Sequence, residues 1–253
     1  ELAACRKAPQ DVIRIRRFAR AGSNRYSTTR IQRQGGKKMS KAVRWWWIRH
    51  APVDSGGRIY GSEDPPCDCS DSALFTQVAA LLPANAIWIT SHLQRTHQTA
   101  QALVSHMGQE PADLLTEPRF GEQSFGAWHG LTREELRLQR HPQWHRFWHA
   151  PADERPPGGE SFLDLIGRVQ AAVQAWTDRY PGRDLVAVAH GGTIRAALAI
   201  ALDLDPEAAL RLTVDNCSLS RMEWIPGAAG SHLPEHEGVW QVSLVNFPPR
   251  STA

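Results

Sequence analysis

Residues 43–50 read VRWWWIRH, and residues 185–192 read LVAVAHGG. Each stretch begins with a short run of apolar, aromatic or β-branched residues, which is typical of strands buried on both faces, and each run ends at a histidine. A third run of this kind, Ala86–Thr90, leads into Ser91 and a helical pattern. Because ligands bind beyond the carboxyl ends of parallel strands, the three runs predict a site where their ends meet.

Segments whose apolar residues have helical spacing lie between and after these runs. Ser161 and Asp164 are placed to cap the longest helix, whose apolar residues recur at three- and four-residue steps. The predicted helices are Arg95–His106, Ser161–Arg179 and Thr193–Leu202, and the predicted later strands are Val214–Ile225 and Val239–Phe247. Strands that alternate with helices predict an α/β three-layer sandwich, with a mostly parallel central sheet flanked by helices. A segment at about 120–160 is predicted to be an inserted small helical cap.

Composition excludes several classes of protein. The chain has 253 residues, of which 42% are hydrophobic and 22% charged, as is ordinary for a soluble protein. The longest uncharged apolar run in its C-terminal half, Ala196–Leu202, is far shorter than the ~20 residues of a membrane span, so we expect no membrane partner. The four cysteines show no disulfide-framework spacing, and we expect a cytoplasmic location.

Charge is distributed unevenly along the chain. Residues 1–38 hold eleven of the 29 Lys and Arg but only two of the 26 acids, a net of +9, which leaves a net of −6 on the other 215 residues. The basic character therefore belongs to an extension, and the body gives no reason to expect nucleic acid as a partner.

The basic extension, residues 1–38, has no regularly spaced apolar residues, so we expect it to be poorly ordered. Three interpretations remain open: an Arg-rich transit peptide, an arm that touches nucleic acid, or a segment that is not part of the native protein. The third is favoured because Met39 opens a run that leads directly into the first strand, and because a purine-rich stretch that resembles a bacterial ribosome-binding site can encode residues 35–38. We expect the domain to span residues 39–253.

The strand ends bring cations together if the three strands are parallel neighbours. Arg49, His50, Arg95 and His190 would then meet in one small volume. Clustered cations beside helix N-termini form an anion site, and phosphate is the natural occupant.

Four motifs in order carry a resemblance to a known family over about residues 43–247. They are Arg49-His50-Ala51-Pro52, Ser91-x-Leu93-x-Arg95-x-x-x-Thr99-Ala100, Phe120 to Gly130 (FGEQSFGAWHG) and Ala189-His190-Gly191-Gly192. Together they resemble the histidine phosphatase (phosphoglycerate mutase-like) superfamily, and its phosphatase branch in particular. The chain departs from the usual pattern at Ala51, Pro52 and His129, none of which is a catalytic position.

The resemblance implies a role for each site residue. His50 would attack phosphorus and form a phosphohistidine, while Arg49, Arg95 and His190 would bind the phosphoryl oxygens. Glu122 would protonate the leaving oxygen and then activate water, with Glu117 as the alternative acid. No metal and no cofactor are implied.

The cap segment is predicted to contact the substrate. Trp144 and Trp148 in this segment, and Ser55 after the first strand, are the candidate residues. A zinc site is the competing interpretation of the histidines spaced four apart in the cap, with two cysteines elsewhere; these residues are His141, His145, His149, Cys67 and Cys69. The cysteines themselves are spaced too closely for a redox pair of the usual kind.

The sequence therefore predicts a metal-independent phosphomonoesterase that acts on a small phosphate ester, with a homodimer left open. A phosphoglycerate-type phosphomutase is the first alternative, although residues 53–57 (VDSGG) lack the Trp-Asn pair of the family's mutases. A non-catalytic phospholigand-binding protein is the second alternative, and it would be expected to have lost His50 or Glu122.

Overall fold

The structure is a computed structural model that describes residues 41–109, 113–141, 145, 148–227 and 238–247. The basic extension and the proposed start at Met39 lie outside the described residues. The described strands are Val43–Arg49 (β1), Ile87–Thr90 (β2), Leu115–Thr116 (β3), Asp184–Ala189 (β4), Leu219–Pro226 (β5) and Gly238–Phe247 (β6). The described helices are Ser72–Ala79 (α1), Gln94–His106 (α2), Arg133–Arg140 (α3), Phe162–Arg179 (α4), Gly191–Leu202 (α5) and Pro206–Ala209 (α6).

The described strands form one mixed sheet in the order β3-β2-β4-β1-β5-β6. Strands β3, β2, β4 and β1 pair in parallel. At the edge beyond β1, strand β5 pairs antiparallel with β1, and β6 pairs antiparallel with β5. The predicted α/β class and the mostly parallel sheet are confirmed. The three strands whose ends were predicted to meet, β2, β4 and β1, are direct neighbours.

Helices cover both faces of the sheet and make three layers. On one face, α4 and α5 pack on Trp45 and Trp47, which are fully buried and stacked with ring centroids 5.1 Å apart. On the other face, α1 and α2 pack on Ile48 and its neighbours in β4. Successive side chains of β1 point to opposite faces, so a strand covered on both sides requires a continuous apolar run.

Two predicted boundaries are wrong for identifiable reasons. Strand β5 begins at Leu219 rather than Val214, because the preceding residues form a turn in which Cys217 has a φ of +56°. Helix α5 begins at Gly191 rather than Thr193, so its first turn lies next to His190. The predicted cap of α4 is confirmed, since Ser161 and Asp164 exchange hydrogen bonds there.

The predicted cap segment carries one described α-helix, α3, and a 3-10 turn at Gly126–Trp128. Helix α3 packs into a small apolar cluster of its own, which includes Leu136, Phe125 and Ile59. None of the helices that the structure describes combines the length and the apolar character needed to cross a membrane.

Candidate active site

His50 follows the last residue of β1 and lies at the carboxyl end of the sheet. Its side chain is 1% exposed, and its Nδ1 donates a hydrogen bond to the carbonyl oxygen of Ala51 over 2.7 Å. Because a carbonyl oxygen can only accept, the proton is on Nδ1 and the lone pair of Nε2 remains for a reaction. Burial, and then the guanidinium groups of Arg95 and Arg49, hold the pKa of His50 well below its usual value. The imidazole is therefore neutral at neutral pH, as a nucleophile must be.

Arg95 lies in the first turn of α2, directly after β2, and its side chain is fully buried. Its guanidinium group donates hydrogen bonds to the carbonyl oxygens of Gly61, over 2.7 Å, and of Glu63, over 2.6 Å. The same group lies over the ring of Tyr60, with Cζ 5.0 Å from the ring centroid. The segment that precedes α1 thus holds a cation beside His50.

His190 directly follows β4, and its ring centroid is 5.2 Å from that of His50. Its Nε2 lies 2.8 Å from the hydroxyl of Ser91. That hydroxyl accepts the N–H of Leu93, and its own proton has two acceptors within reach, Nε2 of His190 and Oγ1 of Thr96 at 3.1 Å. Burial, followed by the charge of Arg95, lowers the pKa of His190 well below its usual value. His190 is therefore neutral, and in the tautomer with the proton on Nδ1 that nitrogen can donate to a ligand.

Three buried nitrogen atoms at these strand ends have no hydrogen-bond partner among the residues that the structure describes. They are Nε of Arg49, Nε of Arg95 and Nδ1 of His190. A buried donor without a partner costs about 1–3 kcal/mol. A tetrahedral anion carries several acceptors, so this donor set fits a phosphoryl group.

Glu122 is half-buried and comes from the loop after a 3-10 turn at Pro118–Phe120. Its carboxylate accepts the N–H of Gly192, in the first turn of α5, at 3.1 and 3.2 Å, and the N–H of Gln123 at 3.0 Å. A Cβ atom on Gly192 would lie 2.5 Å from Oε1 of Glu122, so this close approach requires glycine. The carboxylate is thereby held next to His190.

The loop that carries Glu122 is braced by Arg168 of α4. Its guanidinium group donates hydrogen bonds to the carbonyl oxygens of Arg119 and Gly121, at 2.6 and 2.8 Å, and to that of Glu122 at 3.1 Å. The carboxylate of Glu160 pairs with the same guanidinium at 2.5 Å. Arg168 therefore acts on Glu122 through the backbone, as a positioning residue.

A cavity of about 320 Å³ opens above this constellation. Arg49, Tyr60 and Glu122 line it, whereas His50, Arg95 and His190 lie one layer beneath its wall, at 1, 0 and 0% exposure. A larger cavity of about 860 Å³ runs along α2 and β3, but none of the residues just described lines it.

A family model for the histidine phosphatase superfamily (branch 1) matches residues 45–233. The chain belongs to this superfamily. The predicted family is confirmed by a match that covers most of the chain and all four motifs.

Individual relatives include both phosphatases and mutases. A probable phosphoglycerate mutase, GpmB of Cronobacter sakazakii, is 30% identical over 205 residues, which cover 74% of this chain and 93% of that protein. The bifunctional protein Rv2228c of Mycobacterium tuberculosis is 34% identical over 56% of this chain, which spans only 38% of that relative's length. The solved structure of mycobacterial glucosyl-3-phosphoglycerate phosphatase Rv2419c has a TM-score of 0.68 and 25% identity, and covers 82% of this chain and 100% of that one.

Glu117, the alternative acid, is hydrogen-bonded within the fold. Its carboxylate accepts hydrogen bonds from the side chain of Arg119, at 2.8 and 2.6 Å, and from Nε1 of Trp176 at 2.8 Å. Burial acts to raise the pKa of Glu117, but these hydrogen bonds outweigh burial and lower it. The structure therefore favours Glu122 as the acid of this site.

Two of the three predicted substrate-contacting residues reach the cavity. Ser55 and Trp148 line it, and Trp144 lies outside the described residues. The indole N–H of Trp148 donates to Oε1 of Gln123 over 2.9 Å, and the guanidinium of Arg195 lies 4.6 Å above its ring. The cap is thus tied to the loop that carries Glu122.

The cap histidines do not converge on a metal. His145 accepts the N–H of Trp148 at Nδ1 and contacts Glu207 through Nε2, while His149 lines the cavity and His141 is exposed. No group of three His, Cys, Asp or Glu in the described part of the chain is arranged to hold a metal ion.

Four residues of the site have no role predicted from the sequence: Ser91, Arg168, Arg133 and Arg195. The positions of Ser91, Arg168 and Arg195 nevertheless carry a signal. Ser91 directly follows β2, and Arg168 flanks the buried stripe of α4. Arg195 follows His190 by five residues, so helical spacing places it one turn after Gly191.

The neutral state of His50 can be tested by titration. Because burial and two guanidinium groups depress its pKa, we expect no protonation as the pH falls from about 8 to 6.5, where an unfolded histidine is half protonated. Below about pH 6.5 the unfolded chain binds more protons, so stability should decline. NMR of imidazole C–H shifts, assigned with His50→Asn, checks this. A His50 signal that titrates near 6.5 contradicts the described environment.

Gly192→Ala should displace Glu122 without unfolding the protein. The added Cβ would meet the flexible end of the Glu122 side chain, so the carboxylate moves and the backbone does not. We expect a melting temperature near that of the wild type and a loss of about 100-fold in kcat, as for a displacement of about 1 Å. Gly167→Ala is the matched control, since its Cβ meets nothing within 4 Å. Equal kinetic effects from the two substitutions would contradict the assignment.

Proposed function

We propose that the protein is a metal-independent phosphomonoesterase that works through a phosphohistidine on His50. The observation that carries the proposal is a buried, neutral imidazole whose Nδ1 is fixed by Ala51, flanked by two arginines and a second neutral imidazole. Phosphoryl transfer depends mainly on positioning and electrostatic stabilisation, and this arrangement supplies both.

The first half-reaction transfers the phosphoryl group to the enzyme. Nε2 of His50 attacks phosphorus in line, and the bond from phosphorus to the leaving oxygen breaks. Donors of Arg49, Arg95 and His190 stabilise the charge on the equatorial oxygens, and the protonated carboxyl group of Glu122 supplies a proton to the leaving oxygen.

The second half-reaction returns the enzyme to its starting state. The carboxylate of Glu122 takes a proton from water, whose oxygen attacks phosphorus and breaks the bond to Nε2 of His50. Inorganic phosphate leaves, and Glu122 is protonated again. The positively charged donors stabilise the negative charge on the phosphoryl oxygens, as a divalent cation does in many phosphatases.

The cavity also favours a substrate class. Among its described lining residues, Glu122 is the one acid, whereas Arg49, Arg58, Arg133 and Arg195 are cations. Burial first, and then the charges of Arg133 and Arg195, lower the pKa of His149 to about 3, so these two cations act on the same part of the cavity. We therefore propose a leaving group that carries a second anionic group. The names of two relatives, a phosphoglycerate mutase and a glucosyl-3-phosphoglycerate phosphatase, point the same way, since a phosphoglycerate bears a carboxylate.

A phosphoglycerate-type mutase is the second candidate. It is favoured by the mutase name of a relative that aligns over 93% of its length. The two activities differ in the fate of the phosphoryl group, which is released to water by a phosphatase and returned to an organic acceptor by a mutase.

Turnover of 4-nitrophenyl phosphate and of a metabolite panel in EDTA tests the proposal. We expect phosphate release without metal, and a loss of about 10⁴–10⁶-fold in kcat for His50→Asn, as when other catalytic nucleophiles are removed. His106→Asn, at the far end of α2, is the control and should retain activity. Full turnover by the His50 variant would refute the mechanism, and interconversion of 2- and 3-phosphoglycerate without phosphate release would establish the mutase.

Arg133 provides a test of the second anionic group. We expect kcat/KM for 3-phosphoglycerate to exceed that for glycerol 3-phosphate, which replaces the carboxylate by an alcohol. Arg133→Gln should reduce this preference by about tenfold, or about 1.4 kcal/mol, with little effect on glycerol 3-phosphate. Arg137→Gln is the matched control, because Arg137 lies on the same helix but pairs with Glu134. An equal preference in all three proteins would contradict the proposed substrate class.

A further inference from the structure

Cys67 and Cys69 form a pair of thiols beside the active site. Their Sγ atoms are 3.5 Å apart, although only one residue separates them in the chain. Both side chains are partly exposed and both are unoxidised. A disulfide bond is about 2.05 Å long, so the two sulfurs need to approach by about 1.5 Å to bond. The one-residue spacing differs from that of the usual redox pair, but the fold brings the sulfur atoms together.

The two thiols are chemically unequal. Hydrogen bonds, from Cys69 first and from Thr99 as well, lower the pKa of the Cys67 thiol to about 6 against an opposing effect of burial. The contact with Cys67, together with burial, raises the pKa of Cys69. The thiolate is the reactive form, so the lower pKa favours Cys67 as the attacking residue of the pair and Cys69 as the resolving one.

Cys67 is connected to the phosphate site through Thr99. The hydroxyl of Thr99 lies 3.5 Å from Sγ of Cys67 and accepts the N–H of Ala51, the residue after His50, over 2.9 Å. The N–H of Asp68, between the two cysteines, donates to the carbonyl oxygen of Pro52 over 2.7 Å. Movement of either sulfur therefore acts on the backbone that follows His50.

The same chain segment holds Arg95. The carbonyl oxygens of Gly61 and Glu63, which accept from its guanidinium, lie four to six residues before Cys67. The thiol of Cys67 also lies 3.3 Å from the carbonyl oxygen of Arg95 itself. A covalent change at Cys67 thus reaches both the nucleophile and a phosphate-binding cation.

We propose that Cys67 and Cys69 are a reversible modification site, at which a low-molecular-weight disulfide such as oxidised glutathione forms an intrachain disulfide that lowers phosphatase activity. The effect on activity rests on the proposed function, whereas the thiol chemistry does not. The Cys67 thiolate attacks one sulfur of the glutathione disulfide, whose S–S bond breaks, and one glutathione leaves. Cys69 loses its proton and attacks the Cys67 sulfur, and the second glutathione leaves. Two protein thiols are oxidised, and one disulfide is reduced to two thiols that take up the two protons.

The test treats the reduced full-length chain with oxidised glutathione in EDTA, without oxygen, and maps the products by mass spectrometry of peptides. We expect one peptide that contains Cys67 and Cys69 as a disulfide. With Cys69→Ser, glutathione should remain attached to Cys67, and with Cys67→Ser, Cys69 should react much more slowly. Cys217→Ser is the matched control and should behave as the wild type, because Cys217 is buried. Absence of the disulfide, or equal reactivity of the two single variants, overturns the proposal.

Activity toward 4-nitrophenyl phosphate is followed in the same samples. We expect the oxidised wild type to lose about tenfold or more of kcat/KM, as for a small displacement of catalytic groups, and dithiothreitol to restore it. The Cys217→Ser protein should show the same loss and recovery. A disulfide with unchanged activity overturns the link to the site. A reduced protein inactive on every ester would refute the proposed function instead, while the peptide map still decides the thiol chemistry.

Discussion

Three parallel, adjacent strands end at one edge of the sheet, and the chemistry of the protein depends on that constraint. Strands β2, β4 and β1 deliver Arg95, His190 and His50 to neighbouring positions. All three side chains are almost completely buried. Burial first, and then the charges of Arg95 and Arg49, disfavour protonation of either imidazole, so both remain neutral. The same positive charge, with three nitrogen atoms that have no described partner, makes the place favourable for an anion. The proposed nucleophile and the proposed phosphate site thus depend on one physical feature, which is burial beside fixed cations.

The proposed acid is held separately from the proposed nucleophile. Glu122 comes from a loop, and loops need support from rigid elements to be positioned accurately. Arg168 of α4 binds three backbone carbonyls of that loop, and the hydroxyl of Thr193 in α5 binds the carbonyl of Gly121 at 2.9 Å. Phe120 packs edge-on against Trp47 of β1 at 5.0 Å. The core of the sheet therefore sets the distance between the carboxylate and His50, which links packing directly to function.

Much of this arrangement could be predicted from the sequence. Buried parallel strands need continuous apolar runs, so the runs at 43–48 and 185–189 could be predicted as strands, and the polar residues directly after them marked the site. The order of four motifs then indicated the family. The start of β5 was not visible, because Val214 is apolar and the left-handed conformation of Cys217 leaves no mark in the pattern. Three arginines on helices were missed for a related reason: Arg168, Arg133 and Arg195. The sequence pattern of an amphipathic helix predicts that an arginine is exposed to solvent, and only the folded structure shows which loops pack against it. The contact between Cys67 and Cys69 depends on the backbone conformation around Asp68, which a single sequence does not specify.

The central claim is that the phosphoryl group passes through the imidazole of His50, and the covalent intermediate tests it most directly. In Glu122→Gln the activation of water is impaired, so mixing with excess 4-nitrophenyl phosphate and quenching in base should trap a phosphorylated enzyme. Peptide mapping should then locate an acid-labile, base-stable phosphoryl group on His50. A phosphoryl group on His190, Ser55 or any cysteine, or turnover that never labels the protein, would contradict the account.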